Sequence, residues 1–259
     1  MPEGIIAGHP THWRVIGTGA RPALLLHCSL AHSGAWSGLA ARLGDALTMT
    51  APDLPSHGCS ADWDGVTPLH DLSTAIAADL AFRIGNGSPV DVIGHSFGGT
   101  IAFRLALERP DLVRSLTLIE PVLFSAARLA GAQEYAAEQA AHPPFDAALR
   151  EGRLNDAARW FHARWGMAPG LDDMPDAQRR YLIDRIPVIP AVDDVLDADS
   201  AGMMVPGRPE GINIPVLLID GAASPPIIGA ILRALAARLP KALRLTVPGA
   251  RAHAANHPP

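Results

Sequence analysis

Short apolar runs alternate along the chain with longer stretches in which apolar residues return at helical spacing. The run Ala23-Leu24-Leu25-Leu26-His27 has almost no polar position, as expected of a strand covered on both faces in a parallel sheet. Further strands are predicted at 47–51, 90–93, 115–120, 214–220 and 243–247, with two short ones over 4–17 around the turn-like His9-Pro10. Helices are predicted between them at 35–43, 68–83, 100–108 and 227–239. Arg109-Pro110-Asp111 ends the third of these, because the residue before a proline disfavours helical geometry. This alternation is the signature of an α/β fold with a mainly parallel sheet. The rhythm breaks over 121–211, where the segments read as helical and no strand is convincing. The predicted organisation is therefore a core from 1–120 and 212–259 with a helical insertion at 121–211. The insertion is expected either to pack on the sheet or to form a lid over the strand ends, and both can hold.

Composition narrows the classes. In 259 residues, 48% are hydrophobic and 18% charged, enough for a sizeable core and without a disorder signature. A formal net charge of −5 argues against nucleic acid or an anionic membrane surface as partner. No run has the length of a membrane span, and the start of the chain lacks a basic-then-apolar leader. Cys28 and Cys59 are the two cysteines, with neither zinc nor thioredoxin spacing, so a reduced, cytoplasmic protein is expected. Lys241 is the single lysine, which leaves little scope for lysine-based covalent chemistry.

The chemistry concentrates at Gly94-His95-Ser96-Phe97-Gly98-Gly99, directly after the run at 90–93. A serine between glycines, where a strand ends and a helix begins, describes a nucleophile elbow. The glycines let strand and helix approach closely around a strained nucleophile, and the helix N-terminus is aimed at a developing oxyanion.

With this elbow, the His27-Cys28-Ser29 turn, the segment Pro52-Asp53-Leu54-Pro55-Ser56-His57-Gly58 and Gly249-Ala250-Arg251-Ala252-His253, the chain resembles the α/β-hydrolase family, specifically its capped members. The resemblance spans almost the whole chain. It implies an α/β-hydrolase fold with a helical cap and a triad in the order nucleophile, acid, histidine. Serine needs a base; His253 stands where the family's histidine occurs, and His257 is its rival. His27, His57 and His95 are expected to make structural hydrogen bonds. His253 and His257 lack a third ligand for a metal, and no cofactor is implied.

The acid is the open position. Where the family usually has an aspartate, after the strand at 216–219, this chain has Ser224, and a hydroxyl cannot stabilise an imidazolium as a carboxylate does. Glu120, from whose place some members supply the acid, is favoured over the alternative acid, Asp220. A buried Glu120 is costly without a partner. The Ser29 and Phe97 N–H groups are the expected oxyanion hole. Cys28 replaces the usual glycine of the first turn; a positive φ there would cost cysteine about 1 kcal/mol or more, so either the turn differs or it tolerates strain. Asp53 is expected to organise its own loop. The aromatics Phe124, Tyr135, Phe145, Trp160, Phe161, Trp165 and Tyr181 are expected to form the insertion's core or to line an apolar pocket.

Together these readings imply a serine hydrolase cleaving a small apolar ester or acyl substrate through an acyl-enzyme. Carbon–carbon bond hydrolases and acyltransferases share the same triad. A non-catalytic binding or interaction protein on a hydrolase scaffold is the alternative from another class. It is motivated by Cys28, Ser224 and a chain stopping at Pro259, where family members usually continue into a final helix.

Overall fold

The structure, a computed structural model, describes residues 2–166 and 169–249. Its strands are β1 (Glu3–Ile6), β2 (His9–Ile16), β3 (Arg21–Leu26), β4 (Leu47–Pro52), β5 (Val90–His95), β6 (Val113–Ile119), β7 (Val216–Gly221) and β8 (Ala242–Val247). They form one sheet in the order β1-β2-β4-β3-β5-β6-β7-β8. β2 is antiparallel to both neighbours, and all pairings from β4 to β8 are parallel. The α/β class and the mostly parallel sheet are as expected.

The apolar runs owe their continuity to cover on both faces. Leu24, Leu26, Val90 and Val92 belong to the larger core, under α2 (Leu69–Gly85), α3 (Phe97–Glu108) and α10 (Pro226–Ala236). The alternate residues Ala23, Leu25, Met49, Ala51 and Ile93 face the other way, onto Trp36 and Ala40 at the start of α1 (Ser37–Leu43). Each fully buried leucine or isoleucine contributes about 1.5–3 kcal/mol by its removal from water. A one-residue slip would exchange the two faces of a strand and misplace all of them.

Among the described residues no strand lies between β6 and β7. That segment holds α4 (Phe124–Leu129), α5 (Gln133–Ala141), α6 (Pro143–Arg150), α7 (Leu154–Trp165), α8 (Asp176–Arg185) and α9 (Asp193–Leu196). Its two ends belong to the main body: α4 and α5 pack on α10, and Ala126, Val195, Leu196 and Met203 join the larger core. Its middle has a separate core of Phe145, Ala148, Ala157, Ala158, Leu171 and Ile186, joined by Leu30 from the turn after β3. Among the described residues, no helix is long and apolar enough to cross a membrane.

At the N-terminal edge of the sheet, Asp91 stands between Arg21 and Arg114. It accepts from Arg21 Nε and Nη2 (3.1 and 3.0 Å), from Arg114 Nε and Nη2 (2.9 and 2.7 Å) and from the Ser115 hydroxyl (2.6 Å). Burial alone would raise its carboxyl, but Arg114, Ser115 and Arg21 outweigh it and hold the group below its ordinary value.

Candidate active site

Ser96 sits between β5 and α3 with φ 52° and ψ −117°, a left-handed conformation that non-glycine residues adopt only where the surroundings enforce it. Close packing supplies that enforcement. A Cβ at Gly94 would lie 2.3 Å from the Gly98 carbonyl oxygen, and one at Gly98 would lie 2.1 Å from the Leu26 carbonyl oxygen. Both expected glycine roles are therefore met by backbone-to-backbone approach. The Ser96 N–H donates to Ile119 O (2.9 Å) and its carbonyl accepts from Gly99 and Thr100. Its hydroxyl makes no helix-capping bond and its residue lines a cavity of about 470 Å³. The helix begins immediately after it, at Phe97 rather than at the expected Thr100, so Phe97 N–H is one of the unpaired donors of a helix first turn.

The turn after β3 supplies the other wall. Cys28, Ser29, Leu30 and Ala31 all line the cavity. The left-handed residue here is Leu30, at φ 61°, and not Cys28, so the turn differs from one that needs glycine at 28. Two neutral histidines clamp it. His27 Nδ1 donates to Cys28 O (2.8 Å) while its Nε2 accepts from Leu54 N–H (2.9 Å). His57 Nδ1 donates to Pro55 O (2.8 Å) and its Nε2 accepts from Leu30 N–H (3.0 Å). The partners fix both tautomers. Since a trans peptide is planar, holding the Cys28 carbonyl also holds the Ser29 N–H, which points the opposite way. Burial keeps both rings uncharged: it pushes His57 down to about 4 and, with His57 beside it, lowers His27 as well. Burial also raises the Cys28 thiol to about 12, so the thiol is inert.

Asp53 organises its loop as expected. It accepts from Ser33 N–H (2.6 Å), Cys59 N–H (2.9 Å) and His12 Nδ1 (2.9 Å). Burial alone would raise its carboxyl, and the Cys59 and Ser33 N–H groups reverse this and lower it. Among the described residues, the possible metal ligands that converge are His12, Asp53 and Cys59, all within 4.8 Å of one another. The Asp53 carboxylate in that trio is already taken by its three donors.

The two candidate acids part company. Glu120 follows β6 with φ 46°, and its N–H donates to Ile219 O (2.8 Å). Its carboxylate reaches the loop after β7, where it accepts from Gly221 N–H (3.1 Å) and from the Ser224 hydroxyl. Ser224, a departure in the sequence, is thus a donor to Glu120. Asp220 is buried on the α10 side and bonded to Arg244 Nη2 and Thr246 Oγ1, both at 2.6 Å. His253 and His257 lie outside the described residues.

The aromatics of the insertion divide between the two expected uses. Phe145 is buried in its separate core and stacks with Trp160 and Phe161, whereas Phe124, Phe161 and Trp165 line the cavity with Leu182 and Ile189. Polar residues also reach it, among them His142, Asp193 and Asp197. Burial, then Asp197, pushes Asp193 up to about 6. The Tyr181 hydroxyl, which no local sequence pattern marks, bridges two loops of the core, accepting from Gly58 N–H (2.9 Å) and donating to Ala31 O (3.0 Å).

Comparison with known proteins agrees with this geometry. Residues 23–259 match the model of the alpha/beta hydrolase family. A pimeloyl-[acyl-carrier protein] methyl ester esterase of Neisseria meningitidis serogroup C is 32% identical over 242 residues, 89% of this chain and 85% of that protein. Lipase LipV of Mycobacterium tuberculosis is 39% identical over 106 residues, 41% of this chain. The matched segment spans about two fifths of the lipase's length (39%). An alpha/beta hydrolase of Sphaerobacter thermophilus superposes with a TM-score of 0.70 at 22% identity, covering 95% of this chain and 91% of that one. The match over most of the length, the strand order and the glycine-packed elbow lead to one assignment: this chain belongs to the alpha/beta hydrolase family.

Proposed function

We propose that the protein hydrolyses carboxylic esters through an acyl-enzyme on Ser96. One observation carries this reading: Ser96 is held strained at a glycine-packed elbow, uncapped, and faces a largely apolar cavity. Ser96 Oγ attacks the ester carbonyl while His253 takes its proton. The Ser29 and Phe97 N–H groups receive the oxyanion, a contribution of about 10²–10³ in rate per donor. His253 returns the proton to the leaving alcohol, and water then releases the acid by the same route. Glu120 orients His253 and stabilises its charged form; its carboxylate is bonded at the β7 loop, whereas Asp220 is engaged by Arg244. Residues 121–211 act as the cap, and the aromatic lining selects an apolar acyl or alkyl group. The esterase and lipase named among the relatives support ester cleavage as the reaction class.

A fluorophosphonate probe with peptide mapping tests the reading. A single adduct on Ser96 is expected, and Ser96→Ala should lower hydrolysis of a p-nitrophenyl ester by about 10⁴-fold or more. An adduct at another residue, or full turnover in folded Ser96→Ala protein, would overturn it. So would folded protein that forms no adduct, and the binding-protein reading would then lead. Two departures behind that alternative have local explanations, in the φ of Leu30 and the bond from Ser224.

A further inference from the structure

We infer that Tyr181 is a positioning residue that ties the helical insertion to the oxyanion turn, so that the seating of α8 helps set the Ser29 N–H. The inference rests on the esterase reading, in which that N–H receives the oxyanion. Tyr181 is half-buried on α8, 150 residues along the chain from Ala31, whose carbonyl accepts its hydroxyl proton at 3.0 Å. The same oxygen accepts the Gly58 N–H at 2.9 Å. One hydroxyl therefore joins the turn after β3 to the loop after β4.

Each of those anchor points is held on its far side. Gly58 has φ +55°, and a Cβ there would lie 2.2 Å from the Asp53 carboxylate, so the loop is wrapped tightly around Asp53. Ala31 closes the turn by donating its N–H to Cys28 O (3.2 Å), the carbonyl that His27 holds from the other side. The peptide unit of Ser29 thus lies between a histidine contact from the core and a turn end fixed by Tyr181. The ring has its own supports: the Arg185 guanidinium lies 3.8 Å above its centroid, and His32 meets it edge-on at 6.2 Å. Burial raises the phenol above its ordinary value, so it keeps the proton that it donates. Removing the hydroxyl leaves the ring packed and frees two backbone groups, one in each loop.

Tyr181→Phe makes that removal. Displacing an oxyanion donor without deleting it is expected to lower kcat about tenfold, with KM changed by less than about twofold. The Ki of a trifluoromethyl ketone analogue of the tetrahedral intermediate should rise by the same factor as kcat/KM falls. Amide exchange of a peptide spanning residues 28–31 should accelerate about tenfold, a readout that needs no turnover. Unchanged kcat and Ki alongside active wild type would overturn the inference, as would a rise in KM alone or unchanged exchange. Wild type that hydrolyses no ester would defeat the esterase reading instead, leaving exchange to decide whether the tyrosine holds the turn.

Discussion

The two ends of the parallel sheet are built on opposite principles. At the N-terminal edge, Asp91 is saturated by two guanidinium groups and a hydroxyl, and charge meets opposite charge. At the C-terminal edge, the segments after β3, β4, β5 and β6 each carry a non-glycine residue with positive φ: Leu30, Ser56, Ser96 and Glu120. There the buried His27 and His57 imidazoles are neutral and spend both ring nitrogens on backbone groups. Asp91 is held by ion pairs, whereas the elbow and the oxyanion turn at the other end are strained and held by directed hydrogen bonds. Strain persists only where neighbours over-determine it, and here it gathers around the proposed nucleophile and oxyanion donors.

The contrast breaks most sharply if the two buried carboxylates behave alike. Glu120→Gln should cut kcat by about 10³–10⁴-fold, since an amide holds a histidine but cannot stabilise its charged form, while the melting temperature stays within a few degrees. Full activity in Glu120→Gln together with such a loss in Asp220→Asn would move the acid to Asp220. At the other edge, Asp91→Asn should cost about 1–3 kcal/mol in urea-unfolding free energy, because Arg21 and Arg114 lose a buried partner but stay partly in water. Its kcat should match wild type. A large fall in kcat there would mean that the two ends are coupled.

Acid titration separates the ends by a smaller effect. An unfolded histidine binds its proton near pH 6.5, whereas His57 must fall to about 4 to do so in the fold and His27 is also lowered. Between these values the unfolded chain holds more protons, so stability drops as pH falls below about 6.5, by about 1.4 kcal/mol per pH unit for each histidine. Asp91 is held charged where the histidines are held neutral, but it too resists protonation in the fold, so the sign is the same: its stabilisation is present above the unfolded carboxyl value and lost below about pH 4. Urea unfolding at pH 7, 5.5 and 3.5 should therefore show an early loss and a later one. A flat curve from pH 7 to 5 would count against neutral, clamped histidines.

Much of this was legible from the chain. The strand rhythm and the glycine spacing around Ser96 are local, and close backbone approach imposes them on any sequence that makes this turn. Asp53 was readable as a loop organiser because its Ser33 and Cys59 contacts are of a common kind. What escaped depends on contacts between distant segments. The Tyr181 bridge to Ala31 and Gly58 has no local pattern, and the sequence leaves open how the turn at Cys28 differs, because its left-handed residue lies two positions later, at Leu30. Glu120 is legible as the replacement for the acid missing at Ser224, but the bond that Ser224 donates to it joins two loops and has no local signature.

That pairing bears on how such a site changes over evolutionary time. The Glu120 carboxylate ends at the β7 loop although it grows from the β6 strand. On the proposed reading, the negative charge keeps its place while its covalent root moves to the neighbouring strand. A chain carrying acids at both 120 and 224 would bring two carboxylates together, and one would be forced to hold its proton. A serine at 224 avoids that conflict and adds a donor. If Glu120 is the acid, its root can lie on either strand without rebuilding the fold, and looking for it at position 224 alone would miss it in this chain.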